Sequence, residues 1–231
     1  MTLPTRDRIE ILKKWDVPTV ANAIESFKIR SDAEGFCDTD IRCLYPDLGR
    51  MIGFAATAKT SGLSPDSEGK IEPRKHWDEV VKIPEPRVAV VQDLDPPPRQ
   101  GATFGECNGN LHKALGCVGL VTDGSVRDLD EVHALGFHYF ARAVCVTHTY
   151  CHYVATGVPV EIGGLEVHPG DLIYGDKHGV LKIPLEIVPD LPKACEDLVR
   201  RERKLIHFLQ NGPVTPESVE GIHREIAAGN Y

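Results

Sequence analysis

Apolar residues recur at helical spacing in several parts of the chain. Near the start they do so in residues 9–12 and 20–27, and Pro18 is well placed to open the second of these helices. Two short central segments that end at glycine, 108–116 and 128–136, have the same pattern. The C-terminal part predicts two more helices, from about residue 192 to 210 and from about 216 to 228.

Short apolar runs between these helices are typical of buried strands. They occupy residues 51–59, 87–92, 117–122 and 137–148. Strands that alternate with helices across short connections indicate an α/β fold. The later stretch 158–184 carries Gly and Pro between short strands, which predicts antiparallel hairpins or a barrel-like sheet.

The connections between these elements carry polar residues, glycine and proline. Residues 61–76 are expected to form a surface loop, and the three prolines at 96–98 require a loop after the preceding strand. Residues 123–128, DGSVRD, are predicted to form a turn. No segment is rich enough in Pro, Gly or Ser to act as a linker, so residues 1–231 are expected to form a single domain.

Composition narrows the class of protein. With 42 % hydrophobic and 26 % charged residues the chain is expected to be globular, and its net charge of −8 without a basic block argues against nucleic acid as a partner. No apolar run approaches the length of a membrane span, and the polar N-terminus does not resemble a signal peptide. Seven cysteines without dense spacing favour reduced thiols, so a cytoplasmic protein is expected.

The pair Arg127-Asp128 stands at the carboxyl end of a predicted buried strand and at the start of a short helix. Ligands of open α/β sheets bind at this edge, and a helix start offers free N–H groups to anionic oxygen. Arg127 can bind a carboxylate at two points, and Asp128 offers a hard oxygen ligand to a divalent cation. A capping Asp beside a surface Arg is the structural alternative.

A second loop precedes another predicted helix. Glu106 lies there in the sequence GECNGN, 21 residues before Arg127. The loop residues 105–108 would direct free N–H groups toward a ligand. The residues alone do not establish that this loop lies beside Arg127.

The spacing G-E-x(20)-R-D resembles the signature of the RraA-like family. Gly105, Glu106, Arg127 and Asp128 fit it, and Glu131 fits the acidic position that follows. The surrounding segments VPTVANAIE, IGFAATAKT, PRVAVVQD, FHYFARA and PGDLIYGDKHGVLKIP extend the resemblance to nearly the whole chain. The family includes 4-hydroxy-4-methyl-2-oxoglutarate and 4-carboxy-4-hydroxy-2-oxoadipate aldolases, oxaloacetate decarboxylases and regulators of ribonuclease activity.

This resemblance implies a single RraA-like α/β domain with a mixed, barrel-like sheet flanked by helices. It implies a divalent-metal-dependent lyase that cleaves a 4-hydroxy-2-oxo acid, or oxaloacetate, to pyruvate through an enolate. The alternative is a non-catalytic regulator that binds a ribonuclease complex. Homotrimers or hexamers with active sites between subunits are also implied.

The family's functional residues carry over by position. Arg127 resembles the arginine that binds the substrate's carboxylate, and Asp128 resembles the only protein ligand of Mg²⁺ or Mn²⁺. The loop that holds the substrate with its backbone amides matches Gly105, Glu106, Cys107 and Asn108.

Three further acids are implied by the same resemblance. Glu106 and Glu131 would orient waters around the cation. Glu202 is a candidate for the acid that a neighbouring subunit contributes from its C-terminal helix. The departing part of the substrate stays open, because Cys107 and Asn108 depart from the family's usual loop.

Cysteines and histidines also gather in the sequence AVCVTHTYCHY. If this segment is a strand, Cys145 and Cys151 lie on one face and His148 and His152 on the other. Such a strand favours buried thiols and polar histidines over a structural zinc site, which remains an alternative. His148 or His152 could instead line the pocket and select a substrate carboxylate.

Overall fold

The computed structural model describes residues 3–64, 69–96 and 101–229. The predicted loop at Pro97 and Pro98 lies outside these residues. The described helices are, in chain order, α1 (Arg6–Glu10), α2 (Val17–Glu25), α3 (Pro73–Val80), α4 (Glu106–Ala114), α5 (Leu129–Ala134), α6 (Leu191–Asn211) and α7 (Pro216–Ala227).

The strands form one large mixed sheet and a small separate hairpin. In chain order they are β1 (Arg42–Cys43), β2 (Met51–Ser61), β3 (Arg87–Asp93), β4 (Ala102–Phe104), β5 (Cys117–Val126), β6 (His138–Val144), β7 (His152–Thr156), β8 (Val160–Ile162), β9 (Leu165–Val167), β10 (Leu172–Asp176) and β11 (Gly179–Ile183). The large sheet has the order β1-β6-β5-β3-β2-β10-β11, and β8 pairs with β9. Strand β4 joins it beside β5, and β7 joins it beside β2.

The centre of the sheet is parallel and its flanks are antiparallel. Strands β2, β3, β5 and β6 pair in parallel, whereas β10, β11, β1 and β7 pair antiparallel to their neighbours. The predicted α/β architecture with a mixed, barrel-like sheet flanked by helices is confirmed. None of the described helices combines the length and the apolar character that crossing a bilayer requires.

Alternate residues of the central strands pack into different parts of the core. On β2, Met51 and Ala55 face the hairpin β8–β9, whereas Ile52 and Phe54 pack with helices α2 and α6. Strands buried on both faces carry continuous apolar runs, which explains why residues 51–59 are apolar throughout. The period of two along the strand therefore divides the core between the helices and the sheet interior.

Two predicted connections differ from the structure. The expected turn at 123–128 is wrong, because β5 continues to Val126 and the register with β6 shifts between Thr122 and Ser125. The irregular stretch is held by Gly124 N, which donates to Thr122 Oγ1 at 3.0 Å. The expected loop at 61–76 is partly wrong, since helix α3 begins at Pro73, a residue that suits the first helical turn.

Candidate active site

A cavity of about 480 Å³ opens where the carboxyl ends of the central strands meet the loops that follow them. One side, the motif wall, comes from the connections β4–α4 and β5–α5. Its lining residues are Thr103, Gly105, Cys107, Asn108, Arg127 and Asp128. The other side, the distal wall, comes from residues 70–77 and 148–153. Most of its side chains are aromatic or apolar: Ile71, Pro73, Trp77, Tyr150 and Tyr153. Its other lining residues are Lys70, His148, Cys151 and His152.

The two loops of the sequence motif meet directly in this cavity. Asp128 Oδ2 accepts a hydrogen bond of 2.9 Å from the backbone N–H of Glu106, the first residue of α4. The backbone N–H of Arg127 donates to the carbonyl of Phe104 at 3.0 Å. Residues 22 and 23 positions apart in the sequence therefore form one site.

Gly105 makes this close approach possible. A Cβ atom at this position would lie 2.3 Å from Asp128 Oδ2 and 3.1 Å from Arg127 Nε. Its φ of −144° is ordinary extended backbone, so space and not conformation requires glycine here. Any larger residue would displace the Asp128 carboxylate from its place beside Glu106 N.

Asp128 adopts the left-handed backbone conformation, with φ 54° and ψ 52°. Aspartate tolerates this region better than most residues, but such strained positions still cost about 1–3 kcal/mol and cluster at functional sites. Its carbonyl accepts the first hydrogen bond of α5, from Val132 N at 3.1 Å, while its carboxylate points away to cap α4. The structural alternative is thus correct in part, because Asp128 does cap a helix, although not its own.

The charges of the motif wall favour an anionic ligand beside a cation. Arg127 Nε lies 3.7 Å from Asp128 Oδ2, and the two side chains, which line the cavity, are 35 % and 36 % exposed. The first-turn N–H groups of α4 at Cys107 and Asn108 have no helical partner and lie at the positive end of the helix. A carboxylate in the cavity would meet both the guanidinium and these amides.

The loop from β4 to α4 is fixed by its own side chains. Asn108 Nδ2 donates to the carbonyl of Thr103 at 2.6 Å, and the Thr103 hydroxyl lies 3.1 Å from Cys151 Sγ. Burial raises the pKa of the Cys151 thiol to about 11. Cys107, in contrast, is exposed at the motif wall.

The three other acids expected at the site lie outside the cavity lining. The side chains of Glu106, Glu131 and Glu202 are exposed, and Glu106 contributes its backbone N–H instead. Glu202 belongs to α6, which packs with α2 and α7. Their roles toward a cation or a neighbouring subunit stay predictions.

The cluster of cysteines and histidines does not lie along one strand, so the predicted alternation of faces is wrong. Strand β6 ends at Val144 and β7 begins at His152, and Thr149 turns the intervening loop with a φ of 46°. His148, Cys151 and His152 line the cavity, whereas Cys145 Sγ donates to the carbonyl of Thr147 outside it. Within residues 3–64, 69–96 and 101–229, no three His, Cys, Asp or Glu side chains converge to hold a metal.

A buried histidine pair connects helix α3, on the side of the distal wall, with helix α4, on the side of the motif wall. His76 Nε2 on α3 lies 3.0 Å from His112 Nε2 on α4, and both side chains are inaccessible to solvent. His76 also stacks on Tyr153 of the distal wall, with ring centroids 4.2 Å apart. Burial lowers the pKa of His76 to about 3 and that of His112 to about 4, so both rings are neutral.

Apart from His148 and His152, which the sequence offered as candidates for the pocket, the residues of the distal wall were not predicted. Lys70 falls in the segment 61–76 taken for a surface loop, Trp77 lies just after it, and Tyr153 follows the misassigned strand. Pro73, at the start of α3, was the signal that a helix begins there.

The motif wall suits a divalent cation that is held by one protein carboxylate. Of the two carboxylate oxygens of Asp128, only Oδ2 accepts a hydrogen bond from a described residue. Oδ1 is therefore free to bind a metal ion. Mg²⁺ and Mn²⁺ prefer such oxygen ligands and retain several waters, for which the cavity has room. The residues present therefore fit the cation that the sequence implied.

Comparison with known proteins shows which family this chain resembles in sequence. A family model described as RraA-like, Aldolase/RraA, matches residues 17–181. The chain is 33 % identical over 109 residues to the uncharacterized protein MJ0644 of Methanocaldococcus jannaschii, covering 43 % of this chain and 49 % of that protein. It is 40 % identical over 75 residues to the "Putative 4-hydroxy-4-methyl-2-oxoglutarate aldolase" of Halalkalibacterium halodurans, covering 32 % of this chain and 36 % of that protein. The matches thus span about half the length of these relatives or less.

A solved structure shows the same fold. RraAS2 of Streptomyces coelicolor, described as an unusual member of the RNase ES inhibitor RraA protein family, matches with a TM-score of 0.69 at 22 % identity. The match covers 88 % of this chain and 97 % of that one. At this identity the likeness establishes the fold and leaves the activity to be argued from the site.

Proposed function

The chain belongs to the RraA-like family, and on that premise we propose that it is a divalent-metal-dependent lyase. It cleaves a carbon–carbon bond next to the oxo group of a 4-hydroxy-2-oxo acid, or decarboxylates oxaloacetate, and releases pyruvate. The observation that carries this proposal is the meeting of Arg127, Asp128 and the first turn of α4 in one cavity. A protein whose surface alone mattered would not need this convergence.

Arg127 would hold the substrate's carboxylate. Its Nε lies 3.7 Å from Asp128 Oδ2, and neither terminal nitrogen of the guanidinium donates a hydrogen bond to a described residue. A guanidinium binds a carboxylate through two parallel hydrogen bonds, which fixes the oxo acid in one orientation. The amides of Cys107 and Asn108 would receive the remaining oxygen atoms.

Asp128 would hold the cation through the carboxylate oxygen that α4 leaves free. When bound, Mg²⁺ or Mn²⁺ supplies Lewis acidity that stabilises the negative charge that develops on the substrate's 2-oxo oxygen. The hydrogen bond from Glu106 N keeps the Asp128 carboxylate at the motif wall. Arg127 adds positive charge on the same side of the cavity, where the enolate forms.

The substrate is a small oxo acid, and we place the reaction in the cytoplasm, where the seven free thiols would remain reduced. Glu106 and Glu131 would act at the rim of the site, and Glu202 would reach the site of a neighbouring subunit. These three assignments rest on the family resemblance and not on the cavity lining.

Pyruvate release tests this function. The purified protein is assayed with 4-hydroxy-4-methyl-2-oxoglutarate, 4-carboxy-4-hydroxy-2-oxoadipate and oxaloacetate, before and after exhaustive treatment with EDTA. Activity should disappear on chelation and return with Mg²⁺ or Mn²⁺, because the Lewis acid is lost and restored. Asp128→Ala should stay inactive at every metal concentration.

The matched control is Asp130→Ala, an exposed acid two residues away that does not line the cavity. It should retain activity and metal dependence. Full activity of the wild type after chelation would refute the metal-dependent function. If no substrate releases pyruvate, the alternative function, that of a regulator that binds a ribonuclease complex, would be favoured.

A further inference from the structure

Retro-aldol cleavage needs a base that takes the proton of the 4-hydroxyl group, whereas decarboxylation does not. The carboxylates expected near this role, Glu106 and Glu131, do not line the cavity. Of the described lining residues, Asp128 is assigned to the cation and the Cys151 thiol stays protonated, because burial raises its pKa to about 11. The distal wall contributes two imidazoles, those of His148 and His152, and imidazole is the side chain most often used for proton transfer near neutral pH.

His148 has a defined proton arrangement. Its Nδ1 lies 2.8 Å from the backbone carbonyl of Thr149, and a carbonyl oxygen can only accept a hydrogen bond. The neutral ring therefore carries its proton on Nδ1 and its lone pair on Nε2. This tautomer is the one that a general base requires, with the second nitrogen oriented by a fixed acceptor.

The loop that carries His148 is held firmly in a strained conformation. Thr149 has a φ of 46°, and a β-branched residue is a rare occupant of that region. Backbone hydrogen bonds fix the loop on both sides: Ala102 N donates to the Thr147 carbonyl at 2.9 Å, and Cys151 N donates to the His148 carbonyl at 2.9 Å.

Space around the loop is restricted as well. A Cβ at Gly101 would lie 2.3 Å from Thr149 Oγ1, so β4 and the loop are in close contact. The described non-glycine residues with positive φ are Lys28, Asp128 and Thr149. Asp128 lines the cavity, and Thr149 lies between the lining residues His148 and Tyr150. Strain of this kind collects at sites whose geometry is set by function.

We propose that His148 is the general base of the retro-aldol reaction, an inference that rests on the proposed function. His148 Nε2 takes the proton of the C4 hydroxyl, and the O–H electron pair forms the new C4 carbonyl. The C3–C4 bond breaks, its electron pair forms the C2–C3 double bond, and the 2-oxo oxygen receives the negative charge. The imidazolium then returns the proton to C3, which gives pyruvate and a free aldehyde or ketone.

The test compares two reactions of the same site in the metal-loaded protein. His148→Asn retains an N–H that can donate to the Thr149 carbonyl but has no basic nitrogen. Its kcat for cleavage of 4-hydroxy-4-methyl-2-oxoglutarate should fall about 100- to 10,000-fold, the usual contribution of a general base. Its oxaloacetate decarboxylation should remain close to wild type, because that reaction removes no hydroxyl proton.

Two further variants make the result specific. Added imidazole should restore part of the cleavage activity to His148→Ala, because the free base can enter the vacated space. His168→Asn is the control, since His168 is an exposed histidine that pairs with Glu166 away from the cavity.

Three outcomes would overturn the inference. Equal loss of both reactions in His148→Asn would assign His148 to binding or folding. Unchanged cleavage, or loss that appears in His152→Asn instead, would move the base elsewhere. A wild type that decarboxylates oxaloacetate but cleaves no 4-hydroxy-2-oxo acid would remove the need for a base while the metal-dependent lyase stands.

Discussion

At the scale of single residues, Asp128 connects three features that are usually separate. Its backbone begins α5, one oxygen of its carboxylate caps α4, and the other oxygen is left for a cation. Its neighbour Arg127 lies within 3.7 Å and supplies the opposite charge. The substrate's carboxylate and the cation are therefore expected to bind side by side.

Substitution of Arg127 separates substrate binding from metal binding. Arg127→Lys keeps a positive charge but loses the planar pair of donors. A charge-assisted hydrogen bond is worth roughly 1.5–3 kcal/mol, which corresponds to about a ten- to hundredfold change in an equilibrium constant. We expect KM for oxaloacetate to rise by this factor and kcat to fall as well, since the positive charge also stabilises the enolate.

Calorimetric titration of Mg²⁺ or Mn²⁺ into the same variant, without substrate, should give wild-type affinity. Arg200→Lys on α6 provides a control arginine outside the cavity. Unchanged kinetics in both Arg127→Lys and Arg127→Ala would exclude Arg127 from the site.

The sequence identified the residues of the motif wall except Thr103, but not their contacts. The G-E-x(20)-R-D spacing pointed to Gly105 and Asp128, yet spacing cannot show that the Asp128 carboxylate caps α4. That contact depends on the tertiary packing of β4 against β5, which brings together residues distant in sequence. The strained φ of Asp128 and Thr149 is equally invisible in the sequence, because neither residue type requires it.

At the scale of elements, α3 and α4 are joined by the His76–His112 pair. The Asn108 carbonyl can only accept, so His112 Nδ1 carries a proton and His112 Nε2 accepts from His76 Nε2. His76 Nδ1 then accepts from the Thr156 hydroxyl at 2.9 Å. One ordered chain of hydrogen bonds therefore links the first turn of α4 with α3 and β7.

This pair should make the protein sensitive to acid. Both pKa values are lowered by burial, to about 3 for His76 and about 4 for His112, whereas the unfolded chain takes up these protons near pH 6.5. The unfolded state thus binds more protons as pH falls below about 6.5. Each histidine should then reduce the free energy of unfolding by about 1.4 kcal/mol per pH unit until its folded-state pKa is reached.

Urea unfolding at pH 7, 6 and 5 measures this slope. His112→Gln, which cannot take up a proton, should be less stable than wild type at pH 7 and should lose less stability between pH 7 and 5. His168→Gln, at an exposed position, should keep the wild-type slope. Equal slopes in all three proteins would contradict the neutral buried pair.

Helices and strands with strong periodicity were predictable, and irregular ones were not. The C-terminal helices α6 and α7 and the buried strands β2 and β3 lie within one or two residues of their predicted limits, because apolar spacing alone defines them. The end of β5 was missed because Asp123-Gly124 has the composition of a turn. In the structure the Asp123 carboxylate instead accepts from Asp93 N at 2.8 Å, which ties that stretch to β3.

At the scale of the whole molecule, several apolar side chains are exposed on or next to the loop between β6 and β7, which borders the cavity. Val146 is 93 % exposed and Val144 and Tyr150 are 51 % and 57 % exposed. An exposed group of this kind is typical of an interaction surface. It agrees with the proposal that the active site lies between subunits of a trimer or hexamer.

Sedimentation velocity tests the assembly. We expect the wild type to sediment as a trimer or hexamer. Val146→Asp should shift it toward smaller species with lower activity, because the interface would then have to bury an unpaired charge. Val81→Asp, the same change at a valine that is 49 % exposed at the end of α3, should leave the assembly intact. A fully active monomer would contradict an intersubunit site.

The hydrogen bond from Glu106 N to Asp128 should also affect how quickly the proposed cation is exchanged. One carboxylate oxygen is already anchored, so we expect that binding and release of the proposed cation require no rearrangement of the loops. Exchange between Mg²⁺ and Mn²⁺ should therefore be rapid and fully reversible. The reaction rate should then depend on the concentrations of the two ions at the time of the reaction. It should not depend on which ion was present when the chain folded.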